Sequence, residues 1–588
     1  MTIARPLDTG ELFRPAPWIC FRTWQSEKDE WLSMISDEKH HKIATLDDES
    51  SRLWKTIEDG CSYAQLKEQS DDLGVGDSLD EFLSMLVAQS FITNGTVKAT
   101  TVKADMAPVP KQLEDAANTN VEHETMRWVA EQGFLFSVHW EVTYRCNERC
   151  VHCYNPGAAH TPHEKPERLT DELSPAEALT LLDDLRAAGV FRLTLSGGEV
   201  MLRRDFWDLV KGARERGFSV NIYTNGLKLK DEACDRLATL WPSTVSVSVY
   251  SSEAAAHDAI TCVPGSFDRS IGALERLRSR GVKTFLKSTQ MGHTIGGYQR
   301  VNELAKRIGA GAEIDMMMSA SVDGASAPLA LAARSPEELV VLAATQGSPL
   351  YVGDATTGWG RIERSKDSTV CGAGVGAMGI DPTGGINTCN SMPLPAGSHK
   401  THGFINIWKA SRQYKRAHQN YEAPPSIAAA VEPLSKWQSI TLKDFHECGT
   451  HRRCGWCTKC PGLAMLEHGD PLAPSTTNCR LATARMTAVD ILSQGLSRDD
   501  IAGKLGVPLD FGRRYARVIP IISEQQRGSG FDPQKVAASA MSACATPSPL
   551  THSSVSDKNG KKLLHRGTEA TAQAIVEFEA VAKRATFA

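Results

Sequence analysis

The sequence predicts an α/β protein assembled from modules: a partial, TIM-like parallel barrel of six βα units in the middle, an α+β domain before it, and a cysteine-rich domain with a helical tail behind it. Three observations carry this expectation. The chain has 588 residues, too many for one core at roughly 100 to 200 residues per domain. Apolar strand-like segments near 191–196, 218–223, 245–250, 283–289 and 312–318 alternate with amphipathic stretches such as SPAEALTLLDDLRAAG and SIGALERLRSRG, the pattern of a parallel sheet. Ten of the 15 cysteines fall into two tight spacing patterns, which in a large chain points to metal rather than disulfides.

Taken in order, residues 10–94 read as a small α/β unit with strands around 18–24 and 43–46. DDESSRLWKTIEDG offers Asp47 or Asp48 as an N-cap and puts Leu53, Trp54 and Ile57 on one helical face; a second helix starts near Ser62, and SLDEFLSMLVAQSFI supplies a third. Residues 95–130 read as a linker, because Thr, Ala, Pro, Lys and Asn dominate to about 120 without a sustained period. The barrel is expected over 131–350. Its first strand shows Val138, Trp140, Val142 and Tyr144 alternating with Ser137, His139, Glu141 and Thr143, and runs into Cys146. Residues 360–482 are rich in Cys and Gly and poor in period, so metal bonds are expected to replace much of a core there. Residues 483–588 read as a helical, partly flexible extension; SRDDIAGKLGVPLD within it looks like half a helix-turn-helix, with a packed helical tail as the plainer reading.

Composition narrows the function classes. A formal charge of -5 with 41% hydrophobic and 23% charged residues gives no electrostatic case for nucleic acid or an anionic membrane. No run approaches the roughly 18 apolar residues of a membrane span, and the first residues lack a secretion signal, so a cytoplasmic location is expected.

Two constellations carry chemistry. RCNERCVHCY places Cys146, Cys150 and Cys153 in C-x3-C-x2-C spacing, enough to hold three irons of a [4Fe-4S] cube and leave the fourth iron open; zinc is the alternative. In LTLSGGEV, Gly197 and Gly198 allow close backbone approach and Glu199 can accept from an ammonium group. Together these segments resemble the radical S-adenosylmethionine (radical SAM) superfamily, with His152 in the slot where the family carries an aromatic. The resemblance implies that the cluster's open iron chelates SAM, that SAM is cleaved to a 5'-deoxyadenosyl radical, and that the GGE segment holds the SAM amine. It also implies SAM ribose or carboxylate contacts from Thr224, Asn225, Ser248 and Lys287. HDAITCVPGSF matches a segment common in members with an extra cluster domain, and its Cys262 is either a loop filler or a thiol near the radical.

The second constellation is Cys371, Cys389, Cys448, Cys454, Cys457, Cys460 and Cys479. It resembles the SPASM domain, which implies two further [4Fe-4S] clusters, three in all. The first half and the final cysteine match, while the middle departs: Phe445 stands where a cysteine is usual, and either Cys454 or His451 completes the outer set. The resemblance implies an inner cluster on Cys371, Cys389 and Cys460, with an open iron or a non-Cys ligand, and an outer cluster on Cys448, Cys457 and Cys479 plus Cys454 or His451. Two zinc knuckles are the alternative.

Residues 10–94 resemble the RiPP recognition element, a winged-helix-like α+β fold that binds the leader of a ribosomally made precursor peptide by strand addition, here near 42–46 and 79–87. A structural cap is the alternative. The combined resemblance implies a peptide maturase served by a flavodoxin- or ferredoxin-type electron donor, with oxidative crosslinking, thioether or carbon-carbon, as the expected reaction. Epimerisation, with Cys262 or Cys234 as hydrogen donor, and action on a small-molecule or cofactor precursor remain alternatives. Asn390 argues against serine or cysteine oxidation of the sulfatase-maturing kind, because an amide cannot act as a base.

Overall fold

The computed structural model describes residues 12–94, 112–155, 171–291, 297–315, 317–320, 335–346, 364–418, 421–445 and 447–507, with isolated residues at 328, 331, 578, 580 and 581. The first unit contains β1 (Leu12–Pro15), β2 (Ile19–Gln25), β3 (Trp31–Asp37), β4 (Lys42–Leu46), β5 (Cys61–Ser62) and β6 (Ile92–Asn94). β2, β3 and β4 form an antiparallel sheet in that order, and β1 pairs with β5 and β6 in a second. β3 has no counterpart in the sequence reading: Met34 and Ile35 are adjacent and residues on both faces are buried, so no period-2 pattern marks the strand. The three helices lie where expected. Asp47 caps Asp48–Glu58, its side chain accepting from the Ser50 N–H at 3.1 Å. Ser62 and Gln65 form a capping box at the start of Tyr63–Asp72, and Leu79–Ala88 buries Leu79, Leu83 and Leu86.

One face of the β2-β3-β4 sheet packs Phe21 and Ile35 on these helices, with Trp54 and Leu83 in the same core. The other face carries Cys20, Trp24 and Met34 against Val129, Phe136 and Phe191. β2 is bound to the barrel as well: the Phe21 N–H donates to Gly217 O at 3.0 Å, Arg22 Nε to Val190 O at 2.9 Å and Trp24 Nε1 to Gly189 O at 2.8 Å.

The expected linker is corrected in its second half. Residues 95–111 lie outside the described residues, but Gln112–Glu131 is helical. Burial of Thr125 and Val129 against β4 and the barrel explains why this polar segment is ordered as a helix despite its weak periodicity.

Six parallel strands then follow: β7 (Ser137–Thr143), β8 (Arg192–Gly197), β9 (Ser219–Thr224), β10 (Thr244–Ser248), β11 (Thr284–Thr289) and β12 (Gly311–Asp315). Period-2 patterning sorts their side chains. Val138, Trp140, Val142, Leu193, Leu195, Val220, Ile222, Val245, Val247 and Leu286 join the main core with the helices, while His139, Glu141, Ser196, Tyr223 and Lys287 alternate with them and give the other face its polar character.

The cysteine-rich region is more regular than its sequence suggests. β13 (Ala377–Ile380) adds to the barrel sheet in parallel beside β7, followed by the antiparallel β14 (Gly385–Cys389) and β15 (Met392–Ser398). Met378, Ile380, Ile386, Phe404, Trp408 and Leu434 belong to the same core as the barrel strands, so this half of the region rests on apolar burial rather than metal. Thr476–Leu492 and Arg498–Lys504 continue as helices, with Ile501, Ala502, Phe578 and Val581 packed around Leu339–Ala344. That packing favours the helical-tail reading of SRDDIAGKLGVPLD, whose remaining residues lie outside the described ones. Among the described residues no helix is long and apolar enough to cross a membrane.

Candidate functional site

The cysteine loop leaves the C-terminal end of β7, the end at which barrel active sites lie. Its backbone is stitched to the helix Ala254–Thr261, the Arg149 N–H donating to Thr261 O and the Val151 N–H to Ile260 O, both at 3.0 Å. Cys146, Cys150 and Cys153 stand close enough for the charge on each to act on the others. Burial pushes the Cys146 and Cys150 thiols above the usual range. His152 does take an aromatic's place: its ring meets Tyr250 edge-on at 4.3 Å, and burial lowers its pKa to about 4.

The glycine pair does something the sequence did not reveal. Gly197 has φ +132°, and a Cβ there would strike the Thr143 carbonyl, while one on Gly198 would strike that of Arg145. The close approach is therefore between two backbone segments, cemented by Gly198 N–H to Thr143 O and Glu199 N–H to Arg145 O, each 2.7 Å. It locks the GGE turn against the cysteine loop. Glu199 is fully buried and accepts from Thr224 Oγ1 at 2.8 and 3.0 Å, the Asn225 N–H at 2.8 Å and the Met201 N–H at 3.2 Å. Asn225 Nδ2 donates to Asn147 Oδ1 at 2.7 Å, which closes the circuit back to the loop.

Other expected residues are placed differently. Lys287 pairs with Glu313 at 3.0 Å and lies 4.4 Å over the Tyr223 ring, apart from the Glu199 network. Ser248 is its neighbour across β10 and β11 and bonds Tyr250. Cys262 caps the helix Ala254–Thr261 at φ 58° and is electrostatically coupled to Cys150. Cys234 is corrected: it is fully buried in the main core with its Sγ facing Leu229 O, so it can face no substrate. Sequence reasoning also missed Glu141, 5% exposed on β7, bonded to Tyr144 and Tyr154, and pushed by burial from 4.5 to about 7. Its place in the polar half of the β7 alternation was the available signal.

The second constellation divides into two groups. Cys371, Cys389 and Cys460 are mutually coupled, with Arg364 beside Cys371 and Glu467 beside Cys460. Cys448, Cys454, Cys457 and Cys479 form the other group. His451 is exposed and feels Arg453 and Glu447 rather than any thiol, which favours Cys454 in the outer set. Phe445 packs on Trp437 as a core residue, their ring centroids 6.4 Å apart. Asn390 Oδ1 lies 3.5 Å from Cys389 Sγ.

The donor sets suit iron-sulfur cubes. Among the described residues no three His, Cys, Asp or Glu side chains converge on one ion, and a cube does not need them to, since each thiolate takes a separate iron. Beside the outer thiols, Lys459 Nζ and Arg453 Nε are buried without a hydrogen-bond partner, a costly arrangement that an anionic cluster relieves.

Residues 140–308 match the family model of the radical SAM superfamily. The mycofactocin maturase MftC of Mycobacterium tuberculosis is 29% identical over 298 residues, covering 48% of this chain and 73% of the relative. An AdoMet-dependent heme synthase of Nitratidesulfovibrio vulgaris is 27% identical over 380 residues, 60% of this chain and 93% of its own. Among solved structures, Streptococcus suis SuiB bound to the precursor peptide SuiA aligns with a TM-score of 0.45 at 13% identity, over 72% of this chain and 94% of that one.

Proposed function

Because residues 140–308 are a radical SAM domain and the chain is a radical SAM enzyme, we propose that it matures a ribosomally made precursor peptide, most readily by oxidative crosslinking through a thioether or carbon-carbon bond. The observation that carries the catalytic half is the closed circuit Asn147, Asn225, Thr224 and Glu199, which ties the cysteine loop to the GGE turn. On this reading Cys146, Cys150 and Cys153 hold a [4Fe-4S] cluster, which when bound supplies the electron that cleaves SAM to a hydrogen-abstracting 5'-deoxyadenosyl radical. Glu199, on its locked turn, accepts from the SAM amine, while Thr224 and Asn225 fix the carboxylate in place. Gly197 and Gly198 keep the turn seated on the loop. Ser248 and Lys287 line the ligand's far side, and Cys262 faces the cluster loop near the substrate.

The two auxiliary thiol groups, Cys371, Cys389 and Cys460, and Cys448, Cys454, Cys457 and Cys479, support crosslinking over epimerisation. A substrate radical that closes a new bond gives up an electron and a proton, and the electron needs an acceptor. We assign residues 10–94 to leader recognition, 131–350 to the barrel, 360–482 to the auxiliary domain and 483–588 to the helical extension. The relative named as a maturase supports the peptide substrate. So does β4, which pairs only with β3 among the described residues and leaves its other side for an added strand. Met85, 43% exposed on the third helix, offers such a strand an apolar contact. The heme synthase relative favours a tetrapyrrole precursor as the second reading.

Mass spectrometry on a precursor peptide incubated with reconstituted enzyme, SAM and a flavodoxin or ferredoxin donor tests the reaction. Loss of two hydrogens is expected; an unchanged mass with an inverted α-carbon would replace crosslinking by epimerisation. Met85→Asp is expected to weaken leader binding about tenfold, about 1.4 kcal/mol, with SAM cleavage unaltered.

A further inference from the structure

The two auxiliary thiol groups sit in different electrostatic surroundings. Around the outer one, three cations are withdrawn from solvent: Arg453 is 6% exposed, Arg485 7% and Lys459 8%. Arg453 bonds Cys479 and acts on Cys448, Lys459 acts on Cys448 and Cys457, and Arg485 acts on Cys457. The fold holds them there. Arg485 lies on the helix Thr476–Leu492 and donates from Nη1 to Trp456 O at 3.3 Å. Lys459 occupies a left-handed backbone position, φ 44°, and its N–H donates to Cys457 Sγ at 3.3 Å. Such strain in a lysine persists only where surrounding contacts impose it. Among the described residues, the cation acting on the inner group is Arg364, set against the carboxylate of Glu467, which is 4% exposed.

We propose that Lys459 and Arg453, with Arg485, are positioning residues that set the outer auxiliary cluster above the inner one in reduction potential, so that an electron released at the substrate runs outward. The inference rests on the reading of both thiol groups as [4Fe-4S] ligands. Its physics is short: reduction adds one negative charge to a cluster, and a fixed buried cation stabilises the more negative state, where screening by water is weak. Net charge and hydrogen bonds to the cluster are what a protein adjusts to move such potentials. The relay is also covalently short, since Cys457 and Cys460 bracket Lys459 and belong to different groups. Arg364 spans both, acting on Cys371 while its Nη1 donates to Cys457 O at 3.1 Å. The outer cluster is thereby a one-electron acceptor that must be reoxidised by the radical SAM cluster or by an external protein of the flavodoxin or ferredoxin class.

Redox titration followed by EPR on the reconstituted full-length protein tests this, with Lys459→Gln, Arg453→Gln and Lys459→Arg. Each Gln variant is expected to keep its iron and to shift the outer cluster's reduction equilibrium at least tenfold toward the oxidised form, about 59 mV for a one-electron couple. Lys459→Arg is expected to restore the original potential, and the other two clusters to stay put. Full iron content with an unmoved outer potential in both Gln variants would overturn the proposal. So would loss of about four irons in both, which would make these cations necessary for holding the cluster rather than tuning it. An unmodified protein that never binds more than about four irons would instead defeat the underlying ligand reading.

Discussion

Carboxylates crowd the cysteine loop of the barrel, whereas buried cations crowd the outer cysteine group. Glu148, held up to about 8 by burial, bonds Cys150, and Glu199 acts on Cys146. In the outer group Arg453, Lys459 and Arg485 take those places. The barrel cysteines share one short loop and the outer set adds Cys479 from the helix Thr476–Leu492, but spacing shows nothing of the charges that surround either. On the proposed reading of both groups as cluster ligands, the thiols would hold the metal while the residues around them set its task. An acidic shell suits a site that receives a cationic cofactor and must remain strongly reducing; a basic shell suits one that accepts electrons.

The largest effect that would break this comparison comes from the barrel side. Replacing Cys146, Cys150 and Cys153 together by Ala should remove about four of about twelve irons and abolish SAM cleavage, while Cys448→Ala should leave uncoupled cleavage running. Cleavage surviving the triple replacement would overturn the division of labour. Next in size, Cys454→Ala should cost the outer cluster, again about four irons, and His451→Ala none. The reverse result by iron counting would move the ligand from the thiol to the imidazole.

A smaller effect is expected from the acidic interior itself. Glu141 keeps its proton to about 7 in the folded chain against 4.5 for an ordinary glutamate, because burial disfavours its charge. Between those values the unfolded chain releases the proton and the folded one retains it, so stability falls as pH rises through this window. Above 7 the full loss, about 3 kcal/mol, is present. Glu141→Gln should therefore be more stable than the parent at pH 8 and no more stable at pH 4, as read by denaturant unfolding. Equal differences at both values would show that burial does not govern this carboxyl. The smallest effect sharpens the basic side. Arg452 pairs with Asp490 at 2.5 and 2.7 Å, but its side chain is 61% exposed. Arg452→Ala should cost no more than about 1 kcal/mol and leave the outer potential unmoved. A shift matching that of Lys459→Gln would mean that burial is not what makes a cation count.

The sequence by itself determined whatever depends on neighbours along the chain. Alternation in 137–143 marked β7, Asp47 or Asp48 and Ser62 marked two helix starts, and the cysteine spacings marked the loops, because period, capping and chelation all act over a few residues. Tertiary structure alone decided what depends on segments far apart. Asn147 meets Asn225, and the Gly198 turn meets Arg145. β13 joins β7 across more than two hundred residues, which turned an aperiodic region into part of the main core. Cys234, a conceivable hydrogen donor on paper, became core. The cationic shell was equally hidden, since Arg485 reaches Cys457 only when the helix Thr476–Leu492 packs on its loop. A charge on a sequence carries no sign of burial or of what it faces; those follow from the packing of apolar faces that brings distant segments together.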